Sequence, residues 1–443
     1  MPSIFRKFME SKSNVLMARN IMWLLFDKVL RMLCGVVIIF WMARHFGPEN
    51  FGLLNYTIAL VAIFTVISSF GLNSIVVRDL VRSESEKLEI LGSAFFLKII
   101  ASIVSYFLLI AMLLIQKPTG GMNNYIVAIL GTTIVFQSLN VVKFWFESKV
   151  QSKYIVWVEN SVFVLFACIK GLALWLGGSL TTIIVILAIE VFVSSLLLMI
   201  VYSKQEQSVF AWRFNKKRIL QLLKDSWPLA LSASIGTILL KIDQIMIMDM
   251  LGSESVGLYS AASKISEIWY IIPGIIASTV FPSLLKAQSQ SQSVYMRKLG
   301  RLYDFMVMSS LLIAVPVSIY SAEIIALLYG DKYAGAAGVL SIHIWCGVFV
   351  YLRTASAQWF ISNNLQVFSL YRSLTAVVLN VVLNYFLIPI WGMEGAAYAV
   401  LISLFWSTYG FTFLHAKMRP CFMMQTKALL FYSTFNLIKR KVF

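Results

Sequence analysis

The chain has 443 residues, 59% of them hydrophobic and only 13% charged, with a formal net charge of +17. A soluble chain is about 45–50% apolar and about 25% charged, so the composition excludes a water-soluble globular domain. The basic surplus does not indicate a nucleic-acid surface either, because the Lys and Arg fall between long apolar runs on one side of the expected membrane.

A bilayer core of about 30 Å takes about 20 mostly apolar residues per helix. By that measure about twelve spans are predicted, at 17–43, 52–76, 88–115, 123–147, 155–177, 180–202, 227–250, 259–284, 302–328, 337–361, 367–390 and 393–416. Runs such as TTIIVILAIEVFVSSLLLMI (181–200) lack the alternation of barrel strands. The expected fold is an all-α integral membrane protein. The N-terminus shows no small-residue cleavage site, so its first apolar stretch is expected to remain as a span.

Between the spans the charge is lopsided. With the N-terminus inside, the cytoplasmic segments hold the bulk of the cations: Arg6, Lys7, Lys12, Arg19, Arg78, Arg82, Lys87, Lys149, Lys153, Lys204, Arg213, Lys216, Lys217, Arg218, Lys224, Lys286, Arg297, Lys298, Arg301, Arg372, Lys417, Arg419, Lys427, Lys439, Arg440 and Lys441. The opposite side holds Arg44, Lys117 and Lys332. This bias, with an even number of spans, predicts both termini in the cytoplasm.

One clause is written twice. FGPENFGLL (46–54) and LGSESVGLY (251–259) align at an offset of 205, pairing Gly47 with Gly252, Glu49 with Glu254, Gly52 with Gly257 and Leu53 with Leu258. Each copy follows the first span of a six-span set. A weaker echo, LGG at 176–178 and WGM at 391–393, precedes the last span of each set. The predicted organisation is a six-helix lobe at 1–202, a basic cytoplasmic linker at 203–226, a second six-helix lobe at 227–416 and a basic cytoplasmic tail at 417–443. Two lobes of even span number point the same way, as parallel repeats about a central cavity suited to alternating access.

Eight cations lie within the spans: Lys28, Arg31, Lys98, Lys143, Lys170, Lys241, Lys264 and Arg353. A Lys or Arg at the bilayer centre costs about 2.5–3.5 kcal/mol even on the lenient scale. Acids accompany them at Asp27, Glu159, Glu190, Asp243 and Glu267, with Glu147 and Asp249 near span ends. Asp27 with Arg31 (i,i+4) and Lys264 with Glu267 (i,i+3) share helix faces and are expected to pair. Lys241 and Asp243 point different ways, and Lys98, Lys170 and Arg353 have no acid within one turn. Two readings are open for these charges: architectural ties between helices, or a cavity lining that attracts an anionic headgroup. The unpaired cations favour the second.

Asn380 and Asn384, and Ser356 and Gln358 beside Arg353, are expected to act as polar glue between helices. Trp145, Trp157 and Trp345 are read as belt or packing residues, and His343 as packed. Residues 424–438 are expected to lie on the membrane surface. Cys34, Cys168, Cys346 and Cys421 form no C-x-x-C pair, so neither disulfide nor zinc is indicated. No P-loop, H-E-x-x-H or G-x-S-x-G occurs, and the outer loops leave little room for an extracytoplasmic catalytic domain. A transporter without cofactor is expected, not an enzyme.

ARHFGPENFGLLNYTIALVAIFTVISSFGLNSIVVRDL (43–80) resembles the opening hairpin of bacterial polysaccharide-transporter proteins, the O-antigen flippases of the multidrug/oligosaccharidyl-lipid/polysaccharide exporter superfamily. DQIMIMDMLGSESVGLYSAASKISEIWYIIPGIIASTVFPSL (243–284) is similar to the start of their second lobe, and KFWFESKVQSKYIVW (143–157) to the turn between their fourth and fifth spans. The resemblance implies twelve helices in two bundles around a cationic cavity. It implies that undecaprenyl-pyrophosphate-linked oligosaccharide, the unit of O-antigen and lipopolysaccharide biosynthesis, is moved from the cytoplasmic to the outer leaflet of the bacterial inner membrane. Lys28, Arg31, Lys98, Lys241, Lys264 and Arg353 are then the expected pyrophosphate-binding residues, and Asp27, Asp243 and Glu267 the candidates for proton or sodium coupling. Implied partners are membrane lipids and the polysaccharide polymerase and chain-length machinery. One departure is visible: at the 205 offset Asp27, Lys28 and Arg31 fall on Ser232, Ala233 and Gly236. A cation-coupled multidrug exporter is the alternative within transport, and a polysaccharide polymerase or ligase the alternative outside it.

Overall fold

The computed structural model describes residues 12–115, 124–205, 208–363 and 365–431, and every regular element among them is helical. The side chains of Asp27, Lys28 and Gln358 lie outside the described residues. In chain order the α-helices are α1 (Lys12–Ser69), α2 (Leu72–Arg82), α3 (Lys87–Ile115), α4 (Asn124–Phe136), α5 (Val142–Ser148), α6 (Ser152–Trp175), α7 (Leu180–Gln205) and α8 (Lys216–Leu251). They continue as α9 (Ser253–Ile268), α10 (Ile271–Gln290), α11 (Gln292–Ile319), α12 (Ser321–Tyr329), α13 (Ala336–His343), α14 (Cys346–Ser362), α15 (Gln366–Phe405), α16 (Phe411–Leu414) and α17 (Arg419–Leu429).

Ten helical segments among the described residues are long and apolar enough to cross a membrane. Two of them are double, because α1 breaks at Gly47 and α15 at Gly392. Twelve crossing helices result, in two lobes, and the chain is a multi-pass membrane protein. The helical outcome follows from the solvent: in hydrocarbon each backbone N–H and C=O needs an internal partner, which an uninterrupted helix supplies. The breaks fall where a side chain cannot follow. Gly47 sits at φ 70, ψ 175 and Gly252 at φ 87, ψ −179, so the two copies of the repeated clause turn through the same backbone conformation. L-residues rarely adopt it.

The chain forms two compact units, one from residues up to Phe46 with Tyr56–Thr237, the other from Gly47–Asn55 with residues from Ile238 onward. In the first unit a core of Leu72, Val76, Leu91, Val142, Trp145, Phe146 and Tyr202 gathers at the ends of α2, α3, α5 and α7. The basic connection after α7 is held against this core. Arg213 N–H donates to the Leu88 carbonyl at 3.1 Å and Asn215 N–H to Ser93 Oγ at 3.1 Å, while Trp212 packs on Phe95 and Tyr202. Arg78 reaches Asp225 at 2.7 Å and Asp79 at 2.9 Å, and Arg218 pairs with Glu86.

In the second unit, Tyr295, Leu299, Tyr303, Met306, Tyr351, Leu352 and Phe360 form the main core, closed by Cys421, Met424 and Ala428 of α17. The described part of the segment expected on the membrane surface, 424–431, thus packs one face on the protein core. Cys421, Gln425 and Ala428 recur at i, i+4, i+7 and turn inward, and Gln425 Nε2 donates to Ser356 Oγ at 2.8 Å and to the Thr408 carbonyl at 3.1 Å. Residues 432–438 lie outside the described set. Helix α9 presents Ser260, Ala261, Ala262, Ser263 and Ser266, all buried. Small residues are how helices in lipid gain packing, since lipid tails supply no hydrophobic drive between them. At its N-terminal end the two copies of the clause meet: a Cβ on Gly52 would overlap the Ser253 carbonyl, and one on Gly257 would overlap the Pro48 carbonyl. Pro48 and Ser253 themselves correspond at the 205 offset, so the contact is reciprocal, as at a two-fold axis.

Candidate functional site

The first unit gathers its charges from different helices. Arg31 on α1 donates from Nη2 to Glu159 Oε2 on α6 at 2.8 Å, and Lys143 on α5 pairs with the other oxygen of the same carboxylate. The expected Asp27–Arg31 pair rests on Asp27, whose side chain lies outside the described residues, whereas the described partner of Arg31 is 128 positions away. Lys170, expected to be unpaired, is buried and donates to Glu190 Oε2 at 2.9 Å, tying α6 to α7. A search within one helical turn misses partners on a neighbouring helix.

Lys98 behaves as expected. Among the described residues it has no ion pair, and its ammonium lies 5.4 Å from the Phe144 ring centroid. It lines a cavity of about 240 Å³ together with Ser69, Asn73, Gln137, Asn140, Lys143 and Glu147. Asn140 Oδ1 is buried there without a hydrogen-bond partner. Liquid water takes about 30 Å³ per molecule, so the cavity admits a small polar group and not an oligosaccharide.

In the second unit Lys241 and Lys264 form no ion pair among the described residues. The expected Lys264–Glu267 bridge is therefore absent. The two share a helix face, but their charged atoms do not come within 4 Å. Asp243 on α8 is buried and bonded on both oxygens: Tyr259 OH donates to Oδ2 at 3.0 Å, and Asn384 Nδ2 to Oδ1 at 2.6 Å. Asn384 Nδ2 also donates to Asn380 Oδ1 at 3.1 Å, leaving Asn380 Nδ2 and Asn384 Oδ1 without partners. The His343 ring meets Tyr259 edge-on, and its Nδ1 lies 2.7 Å from Ser266 Oγ. A buried carboxylate, two amides with spare valence and a tyrosine thus converge from α8, α9 and α15.

Arg353 on α14 donates from Nη2 to Ser373 Oγ at 2.7 Å. Beside it lies Arg372 on α15, 2% exposed, its guanidinium 4.5 Å from the Phe360 ring centroid and its Nε and Nη1 without partners. Neither guanidinium forms an ion pair among the described residues, so the surroundings of Arg353 and Arg372 are electropositive and suit an anion.

A sequence profile of the polysaccharide biosynthesis protein family matches residues 17–288. The chain belongs to that family. The resemblance read from its outer hairpins is thereby confirmed. Capsular polysaccharide biosynthesis protein CapF of Staphylococcus aureus is 20% identical over 90% of this chain and 100% of its own length. A Shigella flexneri protein named as an O-antigen transporter is 24% identical over 71% of this chain and 77% of its own. Among solved structures, the lipid II flippase MurJ in an inward closed conformation superposes with a TM-score of 0.69 at 16% identity, covering 95% of this chain and 93% of that one. The family and the fold are those of membrane transporters and not of enzymes.

Sequence reasoning missed Arg372, counting it with the cytoplasmic cations although it falls within the span predicted at 367–390, near its start; in the structure it stands six positions after Gln366, the start of α15. The available signal was Ser369, Ser373 and Ala376, a small-residue face that lets neighbouring helices close over it. The tryptophans separate clearly. Trp145 is buried with Lys87 and Lys149 over its ring, and Trp345 donates to Ser318 Oγ at 3.3 Å, both packing roles as expected. Trp157 is 61% exposed.

Proposed function

We propose that the protein is a flippase that carries undecaprenyl-pyrophosphate-linked oligosaccharide, an O-antigen or similar repeat unit, from the cytoplasmic to the outer leaflet of a bacterial inner membrane by alternating access, with both termini in the cytoplasm. The observation that carries this reading is the set of cations that form no ion pair among the described residues, Lys98, Lys241, Lys264, Arg353 and Arg372, in a chain where membrane-embedded acids pair with Arg31, Lys143 and Lys170. Cations retained at such cost need an anion that comes and goes, and pyrophosphate suits both lysine point charges and arginine forks. Lys28 completes the proposed set by position on α1. The relatives' names support the polysaccharide class of cargo. The same surplus disfavours a cationic drug as cargo, and overexpression should leave the drug-resistance profile unchanged.

The test is Lys98→Ala, Lys241→Ala and Arg353→Ala, each scored for surface polysaccharide at matched protein level. Losing one charge-assisted contact to phosphate removes about 1.5–3 kcal/mol, so each variant should export at least about tenfold less, with lipid-linked units accumulating on the cytoplasmic side. Full export by all three defeats the assignment.

Coupling is assigned to Asp243, with Asp27 on α1 and Glu267 on α9 as the other candidates. Asp243 sits among groups that bind either a proton-bearing carboxyl or a small cation, with amide and phenol oxygens close by. Asp243→Asn preserves the shape of the nest and should abolish gradient-driven uptake in vesicles while leaving the amount of folded protein unchanged. Transport that still follows an imposed proton or sodium gradient in this variant removes Asp243 from the role.

A further inference from the structure

Position 157 on α6 opens a pattern, Trp157, Asn160, Ser161 and Val164, whose i, i+3, i+4, i+7 spacing places all four on one helix face. Trp23 and Leu30 of α1 face them across a cavity of about 650 Å³, inside the range of about 300–1,000 Å³ typical of small-ligand sites. The two indoles stand 5.8 Å apart with planes inclined at 51°, forming an open wedge and not a closed stack. Behind the wedge, Asn160 is only 7% exposed, yet neither Nδ2 nor Oδ1 has a hydrogen-bond partner.

That combination narrows the occupant. Buried polar groups are nearly always bonded, and an amide left without partners costs free energy. A prenyl chain or an annular lipid tail would fill the wedge but leave the amide unmet. A pyranose presents a flat C–H face to an indole and hydroxyls at its edge, which both donate and accept, so it meets the aromatic walls and the amide together. The position fits as well. Leu30 precedes Arg31 and Glu159 precedes Asn160, so the wedge borders the Arg31–Glu159–Lys143 cluster directly.

We infer that the wedge of Trp23 and Trp157, backed by Asn160, is a binding subsite for the sugar ring next to the pyrophosphate of the cargo. This rests on the reading of the cargo as a lipid-linked oligosaccharide. Trp157 supplies the stacking face, Asn160 the hydrogen bonds that distinguish a sugar from a hydrocarbon, and the apolar walls at Leu30 and Val164 exclude competing water.

The test uses full-length protein in nanodiscs and two probes, farnesyl pyrophosphate and the same molecule carrying N-acetylglucosamine. The unsubstituted protein should bind the sugar-bearing probe more tightly. Trp157→Ala and Asn160→Leu should each cut that affinity about tenfold while leaving farnesyl pyrophosphate within about twofold. Trp157→Phe, which keeps an aromatic face, should retain most of the preference and so separates loss of stacking from loss of fold. Unchanged preference in both variants overturns the subsite. An equal drop for both probes overturns it too, assigning the wedge to the prenyl chain. If the unsubstituted protein binds neither probe, the cargo reading fails and the subsite with it.

Discussion

Alanine at Gly52 or at Gly257 is expected to remove nearly all folded protein from the membrane, seen as loss of the monodisperse peak when detergent extracts are run by size exclusion. A Cβ at Gly52 would overlap the Ser253 carbonyl and lie 2.8 Å from the Gly257 nitrogen; one at Gly257 would overlap the Pro48 carbonyl and lie 2.7 Å from its carbon. Every atom in the way is backbone, so no rotamer change relieves it. Relief requires the Gly47–Asn55 stretch to move off the start of α9, which also disturbs Phe51 and Leu54, both fully buried in that stretch. In lipid that packing is the main attraction between helices, so the cost should exceed about 4 kcal/mol, the range reserved for damage to a core. Two controls grade the effect. Gly47→Ala meets open space and bears only the strain of its positive φ with extended ψ, about 1–3 kcal/mol. Gly300→Ala, helical and with nothing within 4 Å, should stabilise by up to about 1 kcal/mol.

The repeat itself was legible because it is local: glycines at fixed spacing, repeated at one offset, report a turn wherever they occur. The twelve spans were legible for the same reason, since hydropathy over about 20 residues needs no knowledge of neighbours. What sequence does not carry is which faces meet. Nothing in FGPENFGLL says that its partner is LGSESVGLY, although the 205 offset supplied both halves of the contact. Nor does Arg31 announce Glu159, or Lys170 announce Glu190, because the assignment depends on how α1, α5, α6 and α7 are rotated about their axes. The opposite failure, Lys264 and Glu267, has the same origin: a shared face is necessary for an i,i+3 bridge and not sufficient. Lys98 and Arg353 were read correctly as lacking acids for a compositional reason, since 37 cations face only 20 carboxylates. Arg372 needed tertiary information, because its guanidinium lies over Phe360 of another helix, with Tyr303 and Cys421 among its neighbours. Asn160 was invisible, since an unmet hydrogen bond exists only in a folded structure.

Glu159→Ala is the second large effect expected, and it reads directly on how the first unit balances its charges. One carboxylate serves two cations, Arg31 and Lys143, from two other helices. Removing it takes away the carboxylate that Arg31 and Lys143 share and leaves their like charges close together without it. Breaking a buried pair by deleting one partner costs about 3–5 kcal/mol. With the Arg31 side chain 36% exposed and that of Lys143 26%, solvent screens part of this, and a loss near the lower end, about 3 kcal/mol, is expected. Thermal unfolding of the purified variant measures it. The decisive comparison is Glu159→Ala combined with Lys143→Met, which deletes one of the two cations that shared the carboxylate while keeping its apolar stem volume. If the triad is an architectural tie, this double variant should recover at least half of the lost stability, and its export should recover with it. If Arg31 also contacts the pyrophosphate, stability should recover while export stays low or changes its salt dependence, because the guanidinium has lost the carboxylate that holds it in place. Equal stability of Glu159→Ala and the unsubstituted protein would show that the bridge contributes nothing to the fold, and that the first unit is held by its apolar core and its other ion pairs, among them Lys170–Glu190 and Arg78–Asp225.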